Sequence, residues 1–189
     1  MRVVHCKSQH GYEHGENMCS TAALCMCIAM VGKGVGEGLR ELVEDVMSVA
    51  NSAHQRFQDK SGNQVASVAD IVKHMELDGF MHKVKLVEYI ICEDGCTEMT
   101  EADEPTSCLI SKQLLTRCLA SRRGKLGTVA AVLTCGGHSV AVARKGDDYS
   151  LFDSGPSFLM VEMNTEQFNQ QLDQFVVGQC DVTLTSAER

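Results

Sequence analysis

No stretch of the chain reaches the roughly 18 apolar residues that a membrane-spanning helix needs, so no span is expected. Residues 1–17, MRVVHCKSQHGYEHGEN, are polar and lack the apolar run of a secretory signal, so export through the general secretory route is not expected. Basic charge is also scarce: 17 Lys and Arg stand against 25 Asp and Glu, a net charge of −8. Nucleic acids and anionic membranes attract basic surfaces, so neither is expected as the main partner. A partner with a basic face suits the balance better. There is no internal repeat and no low-complexity tract. Tryptophan is absent and only 2 prolines occur, which narrows nothing. The remaining features are ordinary. A chain of 189 residues, 44% hydrophobic and 22% charged, is expected to form one domain over residues 1–189 with a true core, as a monomer.

Cysteine is plentiful, with 10 in the chain. Most sit inside apolar periodic stretches, as Cys25, Cys27 and Cys118 do. Without an export signal, reduced thiols in a cytosolic setting are the expected state. The expected location is the cytoplasm, or the host cytosol if the source is a virus or an intracellular bacterium.

Residues 19–31 predict a helix that is apolar almost all round, hence buried, ended by the glycines of GKGVGEG (32–38). Residues 39–53 predict an amphipathic helix with Leu39, Leu42, Val43, Val46 and Met47 on one stripe. The polar QDKSGNQ (58–64) follows as a loop. Ser67 and Asp70 suggest a capping box for a helix to about residue 77. The alternating, β-branched KVKLVEYIIC (83–92) predicts a strand, residues 93–107 an acidic loop, and residues 108–121 a helix. Strands are predicted at 127–134, 138–144, 148–153 and 181–185. Before the last of these, Asn164 caps a helix, with Gln167 at the reciprocal position and Met163 and Phe168 as a flanking staple. Helices first and strands mainly later argue for an α+β fold, with N-terminal helices packed on a mainly antiparallel sheet.

Three residues carry the candidate chemistry. In GENMCSTAALC (15–25), Cys19 opens the buried helix. A helix N-terminus carries unpaired N–H groups and the positive end of the helix dipole, both of which favour a thiolate. In CGGHSVAVARKGDDYSLFDSGP (135–156), a hairpin turning at Lys145-Gly146 would pair Val142 with Tyr149, Val140 with Leu151 and His138 with Asp153. Directly opposed side chains have Cβ atoms about 4.5–5.5 Å apart, which suits an imidazole–carboxylate bond. A turn at Gly146-Asp147 is the alternative. A His–Asp pair fixes the imidazole tautomer and lets it deprotonate a thiol. Acyl transfer also needs donors for a developing oxyanion. The Cys19 backbone N–H is one candidate, and the side-chain amide of Gln9 or of Asn17 is another. Asn17 and Gly15 would keep the approach polar and open.

The bland alternatives are a buried inert thiol for Cys19, a strand-edge histidine for His138 and a turn residue for Asp153. Cys135 is a rival nucleophile, but it lies on a strand end without a helix dipole. His5, His10 and His14 have no closed four-ligand spacing with nearby cysteines, and Cys92-x3-Cys96 lacks a second pair, so no metal or other cofactor is expected. GKGVGEG lacks the ending of a phosphate loop.

A Gln followed about ten residues later by a Cys that opens a buried helix, then GGHSVAV, then LFDSGP, resembles the papain-like cysteine proteases, with the same chain order of Gln, Cys, His and Asp. Two branches are most similar: the viral tegument-type deubiquitinases, with the short Gln-to-Cys spacing and an FD ending the last catalytic strand, and bacterial effector proteases of the YopT type. The tegument-type enzymes place their histidine two residues after the aspartate. Here position 155 is Gly, so His138 must be the base, as in ordinary papain-like enzymes. The resemblance implies a papain-like fold and a cysteine peptidase or isopeptidase with catalytic Cys19, His138, Asp153 and Gln9. It also implies ubiquitin or a ubiquitin-like protein as substrate, with an effector-type endopeptidase cutting another protein or a non-catalytic binding module as alternatives. Asn17, Gly136 and Gly137 would then line the substrate path. Glu101, Asp103 and Glu104 would form an acidic lip for the arginine-bearing tail of ubiquitin.

Overall fold

The computed structural model describes residues 1–33, 38–62, 68, 70, 71, 119, 127–134, 137–156 and 158–175, and the backbone of 84–92, 95–98, 135 and 180–187. The elements are β1 (Arg2–His5), α1 (Cys19–Gly32), α2 (Leu39–Ser61), β2 (Val84–Cys92), β3 (Gly95–Glu98), β4 (Thr128–Cys135), β5 (His138–Lys145), β6 (Asp148–Asp153), β7 (Phe158–Met163), α3 (Thr165–Phe175) and β8 (Cys180–Ala187). The strands form one 8-stranded sheet in the order β1-β7-β6-β5-β4-β8-β2-β3, and its paired strands run antiparallel. This is the expected α+β architecture. The predicted helices at 67–77 and 108–121 fall mostly outside the described residues. No helix among the described residues is long and apolar enough to cross a membrane.

The sheet is covered on both faces. Ala130, Val132, Ala141, Ala143, Phe152, Leu159 and Val161 pack with α1 and α2. On the other face Val129, Leu133, Val140, Val142 and Leu151 pack with Phe168 and Leu172 of α3. Strand side chains alternate between faces, so both parities of β4 and β5 are apolar. Helix α1 is one of the elements of the first core, and its residues from Thr21 to Val31 are all buried. Enclosed on every side, it has no polar face to show to water, which is why its sequence lacks an apolar stripe.

Helix α2 extends two turns past the predicted end at residue 53. Its buried stripe continues through Ala50, Ala53, His54 and Phe57, and the chain leaves the helix at Gly62 with φ +70°, a conformation glycine adopts without strain. His54 interrupts the apolar pattern, which hides the continuation in the sequence. Its Nδ1 meets Thr21 Oγ1 at 3.2 Å, and its Nε2 accepts from Gln58 Nε2 at 3.3 Å. Burial holds its pKa below the ordinary value. A neutral imidazole thus joins α2 to the first turn of α1, with both ring nitrogens occupied.

Helix α3 has the predicted capping box: Gln167 N donates to Asn164 Oδ1 at 2.9 Å and Asn164 N to Gln167 Oε1 at 3.1 Å. The acidic loop expected over residues 93–107 instead contains β3, with Ile91 opposite Cys96 and Cys92 opposite Gly95. Hairpin pairing with β2 overrides the polar composition there. Strands β1 and β7 have no counterpart among the predicted elements. The first is a short exposed edge. The second carries an extra residue between Met160 and Met163, at Glu162 with φ +56°, which breaks the alternation a strand reading depends on.

The β5–β6 hairpin corrects a further expectation. Lys145 opposes Asp148, Val142 opposes Leu151 and Ala141 opposes Phe152, so the turn uses Gly146-Asp147. Gly146, at φ +61°, takes the first central position, as a II′ turn requires. His138 and Asp153 are therefore diagonal neighbours rather than a directly opposed pair. The change moves one residue on each strand, so both side chains remain on one face. Diagonal positions, about 7–8 Å apart, are within reach of a long side chain.

Candidate active site

The N-terminus of α1 and the start of β5 meet at one end of the sheet. Ser20 Oγ lies 2.9 Å from Ser139 Oγ, which in turn lies 2.8 Å from Thr134 Oγ1. This hydroxyl chain, centred on the buried Ser139, ties the first turn of α1 to β4 and β5. It places Cys19 against the residues that flank Ser139. Cys19 Sγ lies 3.9 Å from the carbonyl oxygen of Gly137, and the neighbouring His138 imidazole is close enough to act on the thiol's ionisation. Cys19 is 7% exposed, whereas Cys25 and Cys27 deeper in the helix are fully enclosed.

His138 Nε2 and Asp153 Oδ1 are 2.8 Å apart. With Nε2 committed to the carboxylate, Nδ1 is the nitrogen left for the sulfur. Asp153 Oδ1 also accepts from Gly155 N at 2.9 Å, so the carboxylate shapes the turn and holds the imidazole at once. A Cβ at position 155 would lie 3.3 Å from both Asp153 Oδ1 and His138 Cε1. The glycine at 155 thus leaves room for an imidazole arriving from β5. Phe175, at the end of α3, packs on the same ring with centroids 5.8 Å apart.

The electrostatics favour a charged pair. Burial raises the Cys19 thiol, but the His138 hydrogen bond, the Ser139 backbone N–H and the His138 charge outweigh it. The net result lies below the ordinary 9.0. For His138, the hydrogen bond to Asp153, aided by the bond to Cys19, pushes the pKa up to about 10 despite burial. The imidazole therefore holds a proton more tightly than the thiol does. Between the two forms that share one proton, thiolate with imidazolium is favoured over thiol with neutral imidazole. Cys25 has no such partners, and burial alone pushes it up to about 12, which makes it an inert core thiol.

Gln9 stands in a 3₁₀ turn, Gln9–Gly11. Its backbone N donates to Ser154 O at 3.0 Å, and its Oε1 accepts from Ser154 Oγ at 2.6 Å. The residue after Asp153 thus anchors Gln9 at the same end of the sheet. Asn17 is exposed, at φ +59°, a left-handed conformation that Asn tolerates. It turns the chain into α1. No side chain caps that helix at Met18, so its first N–H groups are not taken by a cap. Gly137 presents its carbonyl to the sulfur. Gly136, Glu101, Asp103 and Glu104 lie outside the described residues. Cys135 pairs with His138 through the backbone. Among the described residues no group of three or more His, Cys, Asp or Glu could hold a metal ion.

Gly15 serves close packing rather than an open approach. It is buried, and a Cβ there would sit 1.6 Å from the carbonyl oxygen of Gln9. Gly15→Ala is expected to cost about 2–4 kcal/mol, a fall in Tm of about 5–15 °C. Calorimetry checks this, and an unchanged Tm would contradict the described path of residues 9–15.

The fold is that of a papain-like protease: a buried N-terminal helix abuts an antiparallel sheet, with a cysteine at the helix start and a histidine at the strand start. The particular likeness is to the ubiquitin-specific protease encoded by murine cytomegalovirus tegument protein M48, solved in complex with a ubiquitin-based suicide substrate. The two superpose with a TM-score of 0.70 at 12% identity, over 100% of this chain and 88% of the viral one. In sequence, no family model and no curated protein matches the chain. Ser154, Ser139 and Phe175 were not singled out in the sequence. Ser154 sits in DSGP, where a turn accounts for it equally well.

Proposed function

We propose that this chain is a thiol peptidase or isopeptidase that acts on ubiquitin or a ubiquitin-like protein. The observation that carries the chemistry is the His138–Asp153 pair, 2.8 Å apart, beside Cys19 at the N-terminus of a buried helix. The Cys19 thiolate attacks the carbonyl carbon, and the π pair moves onto oxygen. The Cys19 N–H and the Gln9 amide receive that oxyanion. The His138 imidazolium then gives its proton to the departing amine, leaving a thioester. Neutral His138 next takes a proton from water, whose oxygen attacks the thioester and releases the thiolate. Asp153 holds the ring with its Nδ1 toward the sulfur throughout.

The choice of substrate rests on the likeness to the viral ubiquitin-specific protease, whose partner is ubiquitin-based. The acidic Glu101, Asp103 and Glu104 would suit a basic substrate tail. Ubiquitin bearing an electrophilic C-terminus is expected to label the chain once, at Cys19, as read by peptide mapping. An adduct at Cys135 would overturn the nucleophile. No adduct, with fast alkylation of Cys19 by a small reagent, would move the substrate to another protein and leave the chemistry in place.

A further inference from the structure

We infer that Ser154 is a positioning residue that sets which end of the Gln9 side-chain amide faces the thiol cleft; this rests on the proposed thiol chemistry. Gln9 and Ser154 are 145 positions apart in sequence, yet both are buried and their side chains meet at 2.6 Å. An amide can turn either end toward a hydroxyl, since a serine both donates and accepts. The surroundings break that symmetry. Ser154 is 1% exposed, and among the described residues its hydroxyl meets no acceptor other than Gln9 Oε1.

If the amide were flipped, its NH2 would donate to Ser154 Oγ and leave the hydroxyl proton buried without an acceptor. Burying a donor without an acceptor is costly, enough to make the flipped form a minor one. Ser154 therefore holds Oε1 inward and turns Nε2 outward. That nitrogen meets no acceptor among the described residues, and it is not sealed from solvent. A donor in this position can serve an oxyanion, whereas a carbonyl oxygen there would repel it. The placement is economical in chain terms: Asp153 orients the base, and the next residue orients the oxyanion donor.

The test uses a short peptide ending in glycinal, which reports the oxyanion site without turnover. The thiolate adds to the aldehyde carbon, a C–S bond forms, and the C=O π pair moves to oxygen, where Gln9 donates. Ser154→Ala is expected to weaken this adduct, and to lower kcat, by about tenfold with KM little changed, since complete loss of an oxyanion donor costs about 10²–10³. In a Gln9→Ala background the same change is expected to cost nothing further. Ser154→Thr, which keeps the hydroxyl, is expected to restore binding. Alkylation of Cys19 by iodoacetamide, which places no charge on an oxygen at that site, is expected to be unchanged. Equal losses in both backgrounds, an equal slowing of alkylation, no loss at all, or no adduct on the native chain would each overturn the inference. If the native chain binds the aldehyde in the expected pattern but hydrolyses no acyl substrate, the peptidase reading fails and the role of Ser154 stands.

Discussion

Cys19→Ala is expected to abolish turnover of a ubiquitin C-terminal amide, a fall on the order of 10⁶-fold in kcat, the scale for removing a nucleophile, while Tm moves by only a few degrees. The asymmetry follows from where the residue sits. Cys19 is the first residue of α1, so its side chain contributes little to the core that Leu24, Met26 and Met30 build. The hydroxyl bonds of Ser20 and Ser139, which dock the helix start, do not involve it. Replacing the sulfur removes a reacting atom and leaves that scaffold intact. Turnover measured alongside calorimetry checks both halves. Activity at the native rate would show that another thiol attacks, and a large loss of Tm would show that Cys19 is structural.

His138→Ala is expected to lower kcat by about 10²–10⁴-fold, the contribution of a positioned acid–base, and to change the pH dependence of Cys19 itself. On the proposed mechanism the competent form is thiolate with imidazolium. As pH falls, the thiolate is lost through a pKa below 9.0. As pH rises, the imidazolium is lost near 10. The profile of kcat/KM is therefore bell-shaped, with its descending limb near pH 10. Removing His138 takes away a hydrogen bond and a positive charge that lower the thiol, while burial, which raises it, remains. The midpoint for Cys19 alkylation moves upward and the thiolate fraction at pH 7 falls. Stopped alkylation with peptide mapping at a series of pH values measures both. An unmoved midpoint would mean that the imidazole does not stabilise the sulfur.

Much of this arrangement was legible before any coordinates. A helix apolar on every side has to be an interior helix, and a cysteine on its first turn has to meet the helix dipole; both follow from local composition. The cap at Asn164 and Gln167 was readable because its two bonds join residues three apart. The strands expected at 127–134 and 138–144 follow from β-branched, apolar runs bounded by glycines. The register of the β5–β6 hairpin was not readable. Gly146 satisfies a turn in either of two positions, and the twist of the paired strands selected the one with glycine first. His138 and Asp153 still meet, because that choice preserved their face and altered only their diagonal.

Sequence alone thus determined the buried first helix, the capped last helix and the strands that bear the site, which of their faces are apolar, and that a cysteine, a histidine and an aspartate of suitable type lie near element ends. Those properties depend on contacts within a few residues. The tertiary structure alone decided that β8 lies between β4 and β2. It also decided that Gly15 must lack a side chain because the Gln9 carbonyl occupies the space, and that Ser154 holds the amide of Gln9. Each of those depends on atoms brought together across a long stretch of chain, where periodicity carries no record of which partner will arrive.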